Sequence, residues 1–267
     1  MSTSTSRKRL DLVLVKRGLA ETRERAHALI LGGRVRVGGV VATRPALSVS
    51  DDAAVEVISG GPEYVSRGGL KLQRALDQWA IEPTGAVALD VGASTGGFTD
   101  LLLARGTRRV YAVDVGYGQL HYRLRGDPRV VAMERTNVRH LTELPEVPDL
   151  AVVDVSFISL RLALPSVFRL VKDDIVALIK PQFEAGRSQV GKGGVVRNPA
   201  VHRQVLTDLV AWSADQEWRI TDLAASPIRG PAGNVEFLSR WRRGADPISL
   251  DGILRALAEP TIISAEC

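Results

Sequence analysis

The sequence predicts an α/β protein in which a doubly wound parallel sheet follows a small α+β N-terminal domain. Two observations carry this reading. Beyond residue 66, short apolar runs rich in branched residues alternate with helical patterns, the signature of strand–helix–strand units. Ahead of them, residues 59–62 (Ser-Gly-Gly-Pro) form a breaker cluster that closes off two short helices and a hairpin. The boundaries expected are 1–62 for the small domain, 63–66 for a linker and 67–267 for the large one. A chain of 267 residues with 45% hydrophobic and 24% charged residues has ordinary globular composition. The single cysteine is Cys267, so neither an internal disulfide nor a metal site built on cysteines is expected. The longest uncharged stretch is nine residues, 91–99, against the roughly 20 that a membrane span needs. With no apolar signal core near Met1, a cytoplasmic protein without membrane association is expected.

The small domain carries most of the charge. Residues 1–60 hold ten lysines and arginines against six acids, which leaves +4 of the chain's net +5. Such asymmetry suits a polyanionic partner. Residues 10–17 read as a helix stopped by Gly18, and 22–31 as a second opened by Thr22. Residues 34–37 alternate as a strand, Gly38-Gly39 marks a tight turn, 40–41 return and 53–58 add a further strand. Arg23, Arg25, Arg34 and Arg36 could then project together, and forked guanidinium groups suit phosphates. The run Leu10-Asp11, Lys16-Arg17-Gly18-Leu19-Ala20, Arg23-Glu24-Arg25-Ala26, Ile30 and Gly33-Arg34-Val35-Arg36-Val37-Gly38-Gly39 resembles the S4-like RNA-binding domain. Gly38-Gly39 stands where that family usually has Asn-Gly, and glycine also permits positive φ.

In the large domain, helices are expected over 69–80, 97–104, 119–125, 160–170, 199–214 and 250–257. Strands are expected over 86–91, 109–115, 130–133, 150–155, 175–179, 219–225 and 235–240. Doubly wound sheets bind ligands at the carboxyl ends of their strands, near the switch point. The run Asp90-Val91-Gly92-Ala93-Ser94-Thr95-Gly96-Gly97-Phe98-Thr99 lies at such an end. It lacks the lysine of a phosphate-binding P-loop and departs from the dinucleotide fingerprint. Its letters Gly92-Ala93-Ser94-Thr95-Gly96 do fit a nucleophile elbow, and Ser94, Asp154 and His202 give a hydrolase triad in order. Against that stands Asp114, 22 residues after Gly92, near the spacing at which a carboxylate accepts ribose hydroxyls. Asp90 adds an acid beside the loop, and a carboxylate-rich rim suits a cationic sulfonium. The combination resembles motif I and its partner acid in Rossmann-like class I S-adenosylmethionine methyltransferases.

Four further polar residues are spread along the chain. Lys71 lies inside the first helix of the large domain, Asp154 closes a strand, Lys180 ends another, and Glu236 stands where the last strand begins. A lysine directly after five apolar residues, as at 175–179, is unusual unless it is used or paired. Two lysines and two acids suit methylation of a ribose 2′-hydroxyl, a poor acid that must be deprotonated or held for attack. A lysine can act as base when burial and a neighbouring cation lower its pKa, while the second lysine steadies the developing alkoxide. Lys180 is the expected base or activator, Asp154 and Lys71 its electrostatic partners, and Glu236 the orienting acid.

These four match the Lys-Asp-Lys-Glu tetrad of FtsJ-like ribose methyltransferases, and the chain is identified as resembling the TlyA family of ribosomal-RNA 2′-O-methyltransferases. Ser66-Arg67-Gly68-Gly69-Leu70-Lys71-Leu72, Asp114-Val115-Gly116-Tyr117-Gly118-Gln119-Leu120, Glu134-Arg135-Thr136-Asn137, Asp154-Val155-Ser156-Phe157-Ile158-Ser159, Lys180-Pro181-Gln182-Phe183-Glu184 and Gly233-Asn234-Val235-Glu236 carry the resemblance with the glycine loop. It implies S-adenosylmethionine as cofactor, no metal, and a cytidine ribose in the RNA of ribosomal subunits as substrate. It also implies susceptibility to capreomycin-type antibiotics. The basic Arg7-Lys8-Arg9 points to members that modify both 16S and 23S RNA. The name haemolysin attached to the family finds no membrane signature here. By resemblance, Gly92, Ser94, Thr95, Gly96, Gly97 and Phe98 line the cofactor, Asp114 meets its ribose, and Val115 and Asn137 lie near its adenine. Arg7, Arg9, Arg23 and Arg25 are the RNA-docking candidates, and Tyr64 replaces a tryptophan in the linker. A serine hydrolase and a non-catalytic RNA-binding ribosome factor remain as alternatives.

Overall fold

The computed structural model describes residues 7–31, 33–42, 44–50, 52–58, 64–230 and 232–259. These fall into two compact units that divide between Gly69 and Leu70. The breaker cluster at 59–62 and Glu63 lie outside the described residues, while Tyr64 and Val65 of the expected linker are buried.

In the first unit, β1 (Arg7–Arg9) leads into α1 (Leu10–Lys16) and α2 (Arg23–Leu31). Then come β2 (Val35–Val37), β3 (Val40–Val41), β4 (Ser48–Ser50) and β5 (Val55–Val57). β2 is the centre of a three-stranded antiparallel sheet between β3 and β5. β1 pairs antiparallel with β4. Leu10, Val13 and Leu14 on α1 pack with Ala26, Leu29 and Ile30 on α2 and with Val35 in one buried cluster. The α1 triplet and the α2 triplet each recur at helical spacing, so each helix turns one stripe inward. Thr22 Oγ1 accepts from the Arg25 N–H at 3.1 Å and caps α2.

The second unit takes in α3 (Gly68–Gln78) from Leu70 onward and continues through β6 (Val87–Val91), α4 (Gly97–Ala104), β7 (Arg109–Val113), α5 (Tyr122–Arg125) and β8 (Val130–Met133). Next are β9 (Leu150–Val153), α6 (Leu160–Leu170), β10 (Asp174–Ile179), α7 (Pro181–Glu184) and α8 (Pro199–Ala214). β11 (Trp218–Ala225), β12 (Phe237–Arg243) and α9 (Leu250–Ala258) complete it. Seven strands form one sheet in the order β8-β7-β6-β9-β10-β12-β11. All pairings are parallel except those of β12, which runs antiparallel to both β10 and β11. β6, β9 and β10 are apolar and buried almost throughout, as expected of strands covered on both faces. The order reverses between β6 and β9, so the switch point lies at the mouth of the glycine loop. Because β12 is antiparallel, its first residues stand at the same edge as the last residues of β10, with Ile179 opposite Phe237.

The helix expected over 119–125 is shorter, because residues 116–120 are held in a turn. Gly116 N–H and Gly118 N–H donate to Asp114 and Glu134, and His121 caps the remaining turn. At the far end of the sheet, Trp218 and Trp241 are wholly buried, and Phe168 stacks on Trp218 at 5.8 Å. Aromatic contacts of this kind add to area burial and fix the sheet's edge. Among the described residues no helix is long and apolar enough to cross a membrane.

Candidate active site

After β6 the chain turns at Gly92 with φ +84°. A Cβ there would lie 2.5 Å from the Asp154 carbonyl oxygen, so the close approach of two strand ends requires glycine as much as the turn does. Ser94 follows with φ +49°, and its N–H donates to Asp114 Oδ2 at 2.8 Å. The Gly116 N–H donates to Asp114 Oδ1 at 2.7 Å. One carboxylate thus ties together the loops after β6 and β7, and each of its oxygens keeps a further acceptor position.

These loops bound a cavity of about 460 Å³, a size typical of small-molecule sites. Of the expected cofactor residues, Gly92, Ser94, Asp114, Val115 and Asn137 line it. Asp90, Thr95, Gly96, Gly97 and Phe98 stand outside its wall. Gly97 and Phe98 begin α4 and are buried, and a Cβ on Gly96 would strike Leu120 and Leu124 beneath the loop. Asp90 is wholly buried, and its Oδ2 accepts from Thr99 Oγ1 at 2.6 Å. Its Oδ1 makes no hydrogen bond among the described residues. Burial pushes the Asp90 carboxyl up to about 7. The expected rim of two acids is therefore one rim acid, Asp114, above one buried carboxyl.

Sequence reasoning missed Gln119, Thr136, Arg139, Ser156 and Phe157, which also line the cavity. Phe157 is 91% exposed with φ +66°, and its ring lies 5.2 Å from that of Phe183. The signal available was an aromatic residue three places after a strand-ending acid. Glu184 fixes this segment by accepting from the Leu160 N–H and from Ser159 Oγ, each at 2.7 Å.

The fold brings the four polar residues together as two ion pairs. Lys71 Nζ on α3 lies 2.6 Å from Glu236 Oε2, just ahead of β12. Lys180 Nζ, just after β10, lies 2.7 Å from Asp154 Oδ1, just after β9, and donates to Ser156 Oγ at 2.8 Å. Asp154 lines the cavity. Burial by itself would raise its carboxyl, but Lys71 and then Lys180 outweigh it and hold the group below its ordinary value. The two pairs therefore share one field. Gly230 packs so close to Glu236 that a Cβ would overlap its carboxylate.

The hydrolase triad does not form. Asp154 is committed to Lys180, and His202 on α8 is buried with Nε2 3.1 Å from the Val196 carbonyl, against the Phe237 ring. Ser94 has Asp114, not an imidazole, as its neighbour. In the first unit, Arg7 Nη2 donates to the Ser48 carbonyl at 3.3 Å, while Arg9 and Arg23 both bind the carboxylate of Asp11. Arg25 is exposed on α2. Arg34 does not join them: its guanidinium donates to the Ile58 carbonyl at 3.0 and 2.7 Å, which closes the sheet.

Residues 64–243 match the model of the FtsJ-like methyltransferases, and residues 8–55 that of the S4 domain. The chain is 46% identical over 266 residues to the 16S/23S rRNA (cytidine-2′-O)-methyltransferase TlyA of Mycobacterium tuberculosis (strain ATCC 25618 / H37Rv), covering 95% of this chain and 98% of that protein. It is 40% identical over 238 residues to Hemolysin A of Brachyspira hyodysenteriae, covering 87% and 99%. A solved structure of a protein from Streptococcus thermophilus, also named as a hemolysin, superposes with a TM-score of 0.74 at 39% identity over 96% of each chain. With its glycine loop, its paired lysines and its N-terminal S4 domain, the chain belongs to the FtsJ-like methyltransferase family, in the group that includes TlyA.

Proposed function

We propose that this protein transfers a methyl group from S-adenosylmethionine to the 2′-hydroxyl of a cytidine ribose in ribosomal RNA, within ribosomal subunits. The observation that carries the reading is the pair of lysine–carboxylate contacts, Lys180–Asp154 and Lys71–Glu236, with Asp154 in the wall of the cavity that Gly92 and Asp114 also line.

The cavity fits a nucleoside cofactor on its own chemistry. Val91, Val113, Val115 and Val138 supply apolar walls, and Asp114 has acceptor positions for two ribose hydroxyls. Gly92 lines the cavity and lets the strand ends after β6 and β9 approach closely, where a Cβ would strike the Asp154 carbonyl. Gly92, Ser94, Asp114, Val115 and Asn137 would hold the cofactor, with Asp90, Thr95, Gly96, Gly97 and Phe98 shaping the loop from beneath. When bound, S-adenosylmethionine supplies an electrophilic methyl group on a sulfonium centre.

The remaining work falls to this chain's own side chains. Lys180, anchored by Asp154 and Ser156, orients the 2′-hydroxyl; after it has released its own proton to solvent, its neutral amine takes up the hydroxyl proton as the oxygen attacks. Lys71 adds positive field where the alkoxide charge develops, and Glu236 keeps that amine in place. Rigid anchoring matters because small misplacements of reacting groups cost large factors in rate. Arg7, Arg9, Arg23 and Arg25 serve as RNA-docking residues of the S4 domain. The exposed Phe157 ring offers a stacking face to an unpaired base.

Incubation of purified 30S and 50S subunits with radiolabelled S-adenosylmethionine tests the reading. Label is expected in ribosomal RNA at a cytidine whose 3′ linkage resists alkaline hydrolysis, since a methylated 2′-oxygen no longer attacks the phosphate. Absence of label from both subunits, or label on a base, would refute it.

A further inference from the structure

Among the described residues of the first unit, one carboxylate is fully buried, and three basic side chains converge on it. Asp11, the second residue of α1, has no exposed surface. Its Oδ1 accepts from Arg9 Nε and from the Leu12 N–H, each at 3.0 Å. Its Oδ2 accepts from Arg9 Nη2 at 2.8 Å and Arg23 Nε at 2.9 Å, and lies 2.8 Å from His27 Nε2. Arg9 comes from the end of β1, Arg23 from the start of α2, and His27 from one turn further along the same helix. Arg9 above all, with His27, Arg23 and the Leu12 N–H, holds the Asp11 carboxyl well below the usual carboxylate range despite its burial.

The three partners are not buried with it. The side chains of Arg9, Arg23 and His27 are 43%, 51% and 40% exposed. Each arginine binds Asp11 through its Nε edge, and Arg9 Nη1 and both Nη atoms of Arg23 make no hydrogen bond among the described residues. An unanchored surface arginine loses side-chain entropy when a ligand fixes it. These two are already fixed at one edge and keep donors at the other. Fixed, forked donors from two arginines beside an imidazole suit the tetrahedral oxygens of a phosphate.

We propose that Asp11 sets Arg9, Arg23 and His27 as a preformed seat for a phosphate of the RNA backbone. The proposal rests on the reading of this unit as RNA-binding. Asp11 acts as a positioning residue, because it touches the arginines and not the RNA.

Charge alone predicts the opposite of this proposal. Asp11 places a negative charge beside the seat, so Asp11→Asn raises the local charge by one. Counterion release would then tighten RNA binding and steepen its salt dependence. A preformed seat predicts weaker binding, by about tenfold for two arginines released from their anchor. The measurement is filter binding of the full chain to purified ribosomal subunits at fixed salt, with circular dichroism to verify folding. A folded Asp11→Asn protein that binds as well as the parent, or more tightly, overturns the proposal. Should this variant fail to fold, Arg9→Lys with Arg23→Lys decides, since it keeps both charges and removes both forks. It is expected to bind about tenfold more weakly, and unchanged affinity would again overturn the seat. Arg9→Gln with Arg23→Gln separates the two levels: parental affinity in that variant removes the RNA-binding role of these arginines altogether.

Discussion

Glu236→Gln isolates the buried ion pair. The substitution preserves shape, so the close packing of Gly230 on the carboxylate is not disturbed by added bulk. It removes the charge opposite Lys71 Nζ, 2.6 Å away, in a pair whose side chains are 8% and 1% exposed. Deleting one partner of a buried pair typically costs about 3–5 kcal/mol, because the other charge stays buried without compensation. Asp154 also lies in the field of Lys71 but is bound to Lys180, so it offsets only part of the loss. Against a total stability of about 5–15 kcal/mol, such a loss is large. All four tryptophans (Trp79, Trp212, Trp218 and Trp241) lie in the second unit, so urea unfolding followed by tryptophan fluorescence reports that unit alone. The companion variant Lys71→Met with Glu236→Leu removes both charges and fills their space with apolar atoms. It is expected to recover most of the lost stability, since such replacements are often neutral, while methyl transfer remains abolished. A pair kept for chemistry shows this split. Unfolding of Glu236→Gln within about 1 kcal/mol of the parent, or turnover by the apolar double variant, would refute a buried pair kept for chemistry.

Other expectations follow from the same geometry. Lys180→Met should cut methyl transfer by about 10²–10⁴-fold while affinities for subunits and for S-adenosylhomocysteine hold; a comparable loss of either affinity would reassign the residue to binding. Gly92→Ala forces a Cβ to 2.5 Å from the Asp154 carbonyl at φ +84°. It should cost about 1–3 kcal/mol of stability and weaken S-adenosylhomocysteine binding in calorimetry; parental affinity would separate this loop from the cofactor. Ser94→Ala should retain transfer, and the parent should resist a serine-directed phosphonate; covalent labelling of Ser94 would revive the hydrolase alternative. Asp90 gives a pH signature. Its carboxyl sits at about 7 in the fold against 3.8 when unperturbed, so the folded state favours the protonated form. The Asp90 contribution to the stability of the second unit should then be greatest below about pH 4, fall by on the order of 4 kcal/mol as pH rises towards 7, and level off above, against the opposite trend of lowered carboxylates such as Asp154. Asp90→Asn should flatten that slope in urea titrations, and an identical slope in parent and variant would show that Asp90 does not set it.

Much of the molecule is written in local sequence. The bounds of α4, α6 and α8 coincide with the expected 97–104, 160–170 and 199–214, because each has a stop or cap signal at an end. Gly96, Ser159 and Asn198 mark starts that need no tertiary information. β1 was not expected, because Arg7-Lys8-Arg9 has no apolar alternation and becomes a strand only through pairing with β4. The turn at 116–120 escaped for the same kind of reason: its N–H groups are satisfied by Asp114 and Glu134, and no period in the segment announces that.

By itself the sequence determined the strand–helix alternation, the glycine loop, the four polar residues of the site and the basic small domain. Each is a matter of residue type, period or spacing within a few turns. The tertiary structure alone decided which charges meet. Lys71 pairs with Glu236 across 165 residues of chain rather than with Asp154, since the antiparallel insertion of β12 beside β10 carries Glu236 to the edge where the parallel strands end. It also decided that Asp90 lies beneath the pocket and that Arg9 and Arg23 share a buried acid. Pairing and burial depend on distances through space, and a linear pattern does not contain those distances.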